Sequence, residues 1–512
     1  MDADEIIVGA GPVGLMLACE LRLANVSVLV MEQHSQPRET AKANGVGGQI
    51  LRQLHYRGLL DPLEALASPA VPAPGFPFGS VHVDLSSLTD SPLQGLTLPQ
   101  WKLEHVLAAR ASELGALIQW GCWVVGVEQS MAGVTVRVRA GDLSSDLSAS
   151  FVVGCDGSRS SVRENAGIDF PGTTYPEVNR LGQVSMPDKT DALLRGDVEL
   201  PGLKTLRAGE FVRTQRGLFG FGWLSPGVLM VSTTESDTPF EVNSFMTLEE
   251  LQTSITHVLG ANFPMGEAHR LSRYRMHARQ ADRYRAGRVF VAGDAAHFFP
   301  ATGVGLNAGL SDAVNLAWKL ATDLKWHSPS GLLDTYDQER RLAGNRTMLH
   351  TLAQLALKRG HDTAADALRE IFLELFSDEP ALRRVAAMIA GADISYGSDR
   401  QDAHPLTGSF APDLPLTMDG SRSSVAELLR SADPLLLDLA DRAELRSVAQ
   451  EWAPRVKVIS SVVEGIRPAD AFLIRPDAHL AWAASVDEPE ASAASSLREA
   501  LHRWFGTPRA KK

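Results

Sequence analysis

The chain has 512 residues, enough for two or three domains and a large core. Apolar residues make up 44% and the formal net charge is −12. That acidic balance excludes the basic footprint of a nucleic-acid binder or of a protein held on an anionic membrane, and no apolar run reaches the ~18 residues of a membrane span.

The first readable unit is DEIIVGAGPVGLMLACELRLANVSVLVMEQ, residues 4–33. Glu5 to Val8 predict a strand, Leu15 to Leu23 a helix, and Val26 to Met31 a second strand. Gly9, Gly11 and Gly14 make G-x-G-x-x-G between the first strand and the helix, and Glu32 follows 18 residues after Gly14. Gly9 permits a tight turn, Gly11 lets backbone approach a pyrophosphate, and Gly14 lets helix and strand pack closely. Ala10, Pro12, Val13 and Gln33 flank these positions and join them as candidate contacts. Glu32 is expected to accept from ribose hydroxyls, and its charge would repel a 2′-phosphate, so the expected dinucleotide is FAD or NAD rather than NADP. The first strand begins within five residues of the start, so no signal peptide is expected and the expected location is cytoplasmic.

Residues 72–79, PAPGFPFG, read as a Pro/Gly loop passing over an active site. Residues 100–117 have helical periodicity. Trp120 to Gln129 and Val134 to Arg139 read as strands around a turn at Ala132-Gly133. Residues 151–163, FVVGCDGSRSSVR, are an apolar strand that ends in Asp156-Gly157. Residues 175–275 are strand-rich, with a clear hairpin in VRTQRGLFGFGWLSPGVLMVSTTE. Val289 to Ala292 predict a strand that runs into GDAAHFFPATGVGLNAGLSDAVNLAWKLA, residues 293–321. There Asp294 stands just past the strand end, where an acidic residue can hold a sugar or ribityl hydroxyl, and an amphipathic helix follows a Pro/Gly loop. Residues 332–393 read as helical, 395–412 as a polar linker, and 413–512 as alternating strands and helices. Cys19, Cys122 and Cys155 include no C-x-x-C pair, so neither a disulfide framework nor a zinc site is expected; Cys19 and Cys155 read as buried packing thiols.

Three motifs in this order and at these separations resemble the class A flavoprotein aromatic hydroxylases, single-component FAD monooxygenases of the para-hydroxybenzoate hydroxylase type. The resemblance covers essentially the whole chain. Its closest branch looks like the bacterial aromatic polyketide hydroxylases of secondary metabolism, antibiotic biosynthesis included. It implies an α/β fold: a discontinuous Rossmann-like FAD-binding domain (1–174 and 276–331), a substrate-binding β-sheet domain (175–275 with part of 72–99), a helical connector (332–394) and a thioredoxin-like C-terminal domain (395–512). That last domain holds no cysteine and so has no thiol redox chemistry.

The resemblance also implies cofactors and chemistry. FAD is held by Gly9 to Gly14, Glu32, Gln33, Gln100, Val124, Asp156, Gly157, Asp294, Pro300, Gly303, Gly305, Leu306 and Asn307. Gln100 is alternatively a helix-start or solvated residue. There is one dinucleotide fingerprint, so NADPH or NADH would visit transiently as reductant. Arg159 and Arg163 would meet its phosphates or would simply be surface arginines. A flavin C4a-hydroperoxide formed from O2 would transfer one oxygen to an aromatic small-molecule substrate, by ring hydroxylation or, from its anionic form, by Baeyer–Villiger expansion of a ketone. A flavoprotein that only binds an intermediate is a further alternative. A flavin halogenase is disfavoured because W-x-W-x-I-P is absent. A homodimer is compatible with the resemblance. His297 matches a structural position of the family, with a catalytic base as the alternative.

Two departures stand out. The family's P-P-T-G-G-Q-G-L-N loop is here PATGVGLN, residues 300–307, one residue shorter. The family's R-T-x-E pattern is here Gln49-Ile50-Leu51-Arg52, so Arg52, near one helical turn from the usual arginine, is the candidate catalytic cation beside the flavin, or else a solvated helix arginine. Phe78, Phe219, Phe221 and Trp223 are candidate substrate contacts, with Phe76 beside them. The last three alternate and so share one strand face, which lines a pocket or packs the core.

Overall fold

Strands Glu5–Val8, Val28–Glu32 and Phe151–Gly154 are apolar on both faces because both faces are covered. In this computed structural model, which describes residues 1–508 apart from 38, 40–42, 187–196, 201–202, 204, 226, 237–244, 301–302, 327, 361, 398–401 and 419, they form the centre of a six-stranded sheet. Its order is Arg285–Ala286, Val289–Val291, Phe151–Gly154, Glu5–Val8, Val28–Glu32, Leu117–Trp120. All neighbours are parallel except the first pair. Side-chain alternation sends Ile7, Val30 and Val153 into one core with the helices Pro12–Leu23, Gln100–Glu113 and Gly305–Trp326. Ile6, Val8, Leu29 and Val152 enter a second core under the three-stranded sheet Trp123–Gln129, Val134–Ala140, Leu143–Ala149. The expected first strand and the two fingerprint elements are therefore present, the helix starting three residues earlier than its periodicity indicated because Pro12 is preorganised for a first turn.

A second six-stranded antiparallel sheet contains Phe211–Thr214, Gly217–Ser225, Val228–Glu235, Gly172–Ser185, Ala268–Gln280 and His297–Phe298. Its last strand belongs to the segment after Asp294, and Arg279 pairs with Phe298, so this sheet is hydrogen-bonded onto the first domain at the cleft. Helix Leu248–Leu259 covers one face through Leu251, Ile255 and Val258.

Helices Asp334–Arg359, Thr363–Leu375 and Glu379–Ala390 make up the helical stretch. The segment expected as an open loop over the active site instead contains the strand Gly75–Phe78, whose Phe78 packs against Phe372 and Phe376 of these helices. The linker expected at 395–412 lies partly outside the described residues.

The C-terminal sheet has the order Lys457–Ser460, Leu435–Asp438, Ala471–Ile474, Leu480–Ala484. The first pair is parallel and the others antiparallel, with helices Ala443–Gln450 and Glu490–Phe505 packed on it. This is the wiring of a thioredoxin fold. Trp318 and Leu332 of the preceding part enter its core, and Tyr56 enters its other cluster. A buried ionic network closes the junction: Arg475 donates to Glu339 Oε1 at 2.6 Å, Lys319 donates to Glu339 Oε2 at 2.7 Å, and Asn315 donates to Asp477 at 2.9 Å. Among the described residues no helix is long and apolar enough to cross a membrane.

Candidate active site

The Gly-rich turn is built by contacts that only glycine permits. Gly9 has φ +109°, and a Cβ there would lie 2.5 Å from the Cys155 carbonyl oxygen. A Cβ at Gly14 would lie 2.0 Å from the Gly9 oxygen, so this glycine serves helix–strand packing. A Cβ at Gly11 would meet nothing within 4 Å, which leaves that backbone open to the cleft. No side chain caps the helix that starts at Pro12, so its first-turn amides remain available to an anion. Glu32 ties the second strand to this turn: its Oε2 accepts from the Ala10 amide at 2.8 Å and its Oε1 from the His34 amide at 2.9 Å.

The strand Phe151–Gly154 brings Asp156 alongside. Asp156 Oδ2 accepts from the Ser161 amide at 2.8 Å, at the start of the short helix Ser161–Asn165. Its Oδ1 is buried with no partner. Burial raises the Asp156 carboxyl above its ordinary range, against the lowering effect of the Ser160, Ser161 and Val162 hydrogen bonds.

Asp294 stands exposed on the opposite wall, in the turn Gly293–Ala295. The turn is clamped from behind by Asp312, fully buried on helix Gly305–Trp326. Asp312 accepts from the Gly293 amide at 3.0 Å, His297 Nε2 at 2.7 Å and Arg340 Nε at 2.7 Å. Arg340 Nη1 in turn donates to Tyr396 Oη at 2.6 Å. Burial would raise the Asp312 carboxyl, but His297 and Arg340 hold it below its ordinary range. His297 is thus a buried brace behind the turn, away from the cleft wall.

These segments face one cleft of about 640 Å³. Gly9, Ala10, Gly11, Pro12, Val13, Glu32 and Gln33 line one part of it, Gln100, Val124, Asp156 and Gly157 a second, and Asp294, Gly303, Gly305 and Leu306 a third. Gln100 also donates to Glu104 at 2.7 Å. Gly14 lies behind the wall, in its packing role.

Several expected contacts are corrected by the geometry. Pro300 is buried and does not line the cleft, and the neighbouring Ala301 and Thr302 of the shortened loop lie outside the described residues. The Asn307 side chain turns to the other side, where it accepts from the Gly47 amide at 3.3 Å and donates to the Gly303 carbonyl at 3.1 Å. Arg52 points toward the C-terminal domain: it donates to the Ala411 carbonyl at 3.2 Å and lies 5.3 Å from the Phe410 ring centroid. One helical turn carried it to the face that packs on the C-terminal domain instead of the cleft. Arg163 is buried, donating to Ala295 and Ser158 carbonyls and stacking on Phe170, so of the two arginines only Arg159 lines the cleft.

The aromatic candidates are corrected as well. Phe219 and Phe221 do share a face, but it is the face under helix Leu248–Leu259, where both pack on Phe263. Trp223 continues that face to its exposed end, and Phe78 is closed into the helical cluster. In a strand the choice of face inverts with a one-residue shift, and periodicity alone does not say which face is covered. Conversely, Trp120, Trp123, Glu104, His105 and Phe299 line the cleft although no local motif marks them. Only position decides their role: Trp120 and Trp123 flank the crossing from the first sheet to the small sheet, beside the Glu32 strand. Cys155 also lines the cleft, its thiol pushed up by burial, and Cys19 is a packing thiol pushed up to about 12.

Residues 2–351 match the family described as FAD binding domain, and residues 404–508 match the aromatic-ring hydroxylase C-terminal family. The 12-dehydrotetracycline 5-monooxygenase/anhydrotetracycline 6-monooxygenase of Streptomyces rimosus is 36% identical over 99% of this chain and 100% of its own. The dialkyldecalin synthase of Streptomyces rugosporus is 33% identical, with 98% of each chain covered. The solved structure of the OxyS anhydrotetracycline hydroxylase from Streptomyces rimosus superposes with a TM-score of 0.88 at 35% identity, covering 99% of this chain and 100% of that one. With the FAD-binding model spanning most of the sequence and similarity running from end to end, the chain belongs to the FAD-dependent aromatic-ring hydroxylases, a family of flavin monooxygenases.

Proposed function

We propose that this protein consumes NAD(P)H and O2 to insert one oxygen atom into a polycyclic aromatic substrate of polyketide type, most simply as ring hydroxylation. The observation that supports this reading best is the single cleft of about 640 Å³ onto which three motifs, each more than a hundred residues from the next, converge. The balance is one substrate, one O2, one NAD(P)H and one proton giving hydroxylated product, water and NAD(P)⁺. Bound FAD supplies the activation of O2 and the transfer of one oxygen.

The chain's own residues bind, orient and exclude water. Glu32 accepts from the adenosine ribose, and the open backbone at Gly11 with the uncapped amide of Val13 meets the pyrophosphate. Asp294 holds the ribityl chain, and Gly303, Gly305 and Leu306 border the flavin ring. Arg159 is the cationic side chain offered to a visiting nicotinamide dinucleotide. The substrate meets the sheet face opposite helix Leu248–Leu259, which carries Leu218, Gly220 and Gly222 in register with Thr234, Ser232 and Met230.

Hydroxylation is favoured over ring expansion by the placement of Arg52. Ring expansion would call for a cation beside the reacting centre, and Arg52 is engaged at Ala411 and Phe410 instead. The similarity to a dialkyldecalin synthase supports a second reading, a flavoprotein that shapes its substrate without oxidising it. The test mixes holoprotein with NADH or NADPH and polycyclic phenols in air. Bleaching and recovery of the flavin with a new phenol in the product NMR is the expected result. A lactone would establish ring expansion, and no bleaching with any aromatic would establish the non-oxidative reading.

A further inference from the structure

A second cavity, of about 270 Å³, lies apart from the FAD cleft. Its floor is the sheet face opposite helix Leu248–Leu259: Asn179, Thr234 and Leu218 lie in one row across three strands. Its roof is the last turns of helix Asp334–Arg359, which contribute Leu355, Lys358 and Arg359. Met276 also lines it. Met276 belongs to the strand Ala268–Gln280, whose end pairs with the edge strand His297–Phe298.

The polar groups of this cavity are incompletely paired. Lys358 Nζ donates to Asn179 Oδ1 at 3.3 Å, and the Thr234 hydroxyl donates to the same oxygen at 2.8 Å. Asn179 Nδ2 is buried with no partner. Glu177 is held by Arg359 at 2.6 Å through Oε1, while its Oε2 is buried with no partner. A buried donor or acceptor left unpaired is costly, so such a cluster is a place where a ligand gains affinity by completing it.

Resting on the polycyclic-substrate reading above, we propose that this cavity is a recognition subsite for the end of the substrate remote from the flavin, and that it selects a hydroxyl–carbonyl pair on neighbouring ring positions. The carbonyl or enolate oxygen accepts from Lys358 Nζ and Asn179 Nδ2, and the adjacent hydroxyl donates to Glu177 Oε2. Leu218, Met276 and Leu355 cover the ring carbons between these groups. Burial and the nearby Arg213 push the Lys358 ammonium down to about 8, against the pull of Glu177, which suits an amine that awaits an anionic partner.

The test titrates FAD-loaded wild type, Lys358→Met and Glu177→Gln with 1,8-dihydroxyanthraquinone and with its dimethyl ether, reading the flavin absorbance change. Melting temperature and FAD content confirm that each variant is folded. The expected result is a Kd for the dihydroxy compound raised about tenfold in Lys358→Met, the usual consequence of losing a charged hydrogen bond, with the dimethyl ether unaffected. Glu177→Gln is expected to lose affinity for the dihydroxy compound alone. If wild type binds both compounds and the variants match it, the subsite is overturned and the polycyclic-substrate reading stands. If wild type binds neither and oxygenates no polycyclic phenol, that reading falls and the subsite with it.

Discussion

The Asp312 carboxylate and the His297 imidazole meet at 2.7 Å, both buried, across the back of the turn that carries Asp294. The same carboxylate holds the Gly293 amide and Arg340, so one residue sets both ends of the turn and anchors it to the following helix. Replacing Asp312 by Asn leaves the Arg340 charge uncompensated in the interior. The expected cost is about 3–5 kcal/mol of stability, together with weaker FAD binding. Urea denaturation of the apoprotein and fluorescence titration with FAD measure the two effects separately.

Glu339 is the shared acceptor of Lys319 and Arg475 at the junction with the C-terminal domain. Burial would raise its carboxyl, but Arg475 and Lys319 hold it at about 2, below the ordinary 4.5. A depressed carboxyl stabilises the fold fully above pH 4.5 and loses that contribution as pH falls toward about 2. Wild type should therefore exceed Glu339→Gln by on the order of 3 kcal/mol at neutral pH, and the gap should close on acidification. Urea midpoints at pH 7, 4 and 3 give the comparison; a gap independent of pH would count against this ionic role.

Phe219 belongs to the core under helix Leu248–Leu259, with its ring centroid 5.1 Å from that of Phe263. Phe219→Ala is expected to cost about 3–5 kcal/mol of stability while KM stays near wild type in the folded fraction. A large KM change without loss of stability would return this residue to the substrate pocket.

Arg52→Ala is expected to leave the ratio of product to NAD(P)H consumed unchanged and to cost about 1 kcal/mol or less, because the side chain is exposed and engages Tyr56, Ala411 and Phe410, away from the cleft. Peroxide release measured alongside product would show an increase only if this arginine acted at the flavin.

Trp123 lines the FAD cleft with about half of its surface exposed. Trp123→Ala is expected to weaken FAD binding roughly fivefold, the scale of one aromatic contact. Loss of part of the tryptophan quenching on FAD addition would accompany it.

The dinucleotide turn, its acidic partner and the Asp294 strand end were legible in the sequence because each is local. A glycine at φ +109°, a first-turn proline and a residue just past a strand follow from neighbours in the chain. The reason Gly9 must be glycine was only half visible, since the obstructing atom is the carbonyl of Cys155, far along the sequence. Arg52 and the Phe219–Phe221 pair show the limit. Spacing placed each on a helix turn or a strand face, but which face met the cleft depended on what the rest of the chain laid over it.

By itself, then, the sequence determined three strand-to-loop motifs that line one cleft of an FAD-binding domain, because backbone geometry at those motifs is set by short-range sterics and hydrogen bonding. Tertiary structure alone decided the rest. It buried Phe219 rather than offering it to a substrate and committed Arg52 to the C-terminal domain. It also gathered Asn179, Glu177 and Lys358 around one cavity, because which side chains stay unpaired depends on how separate elements pack.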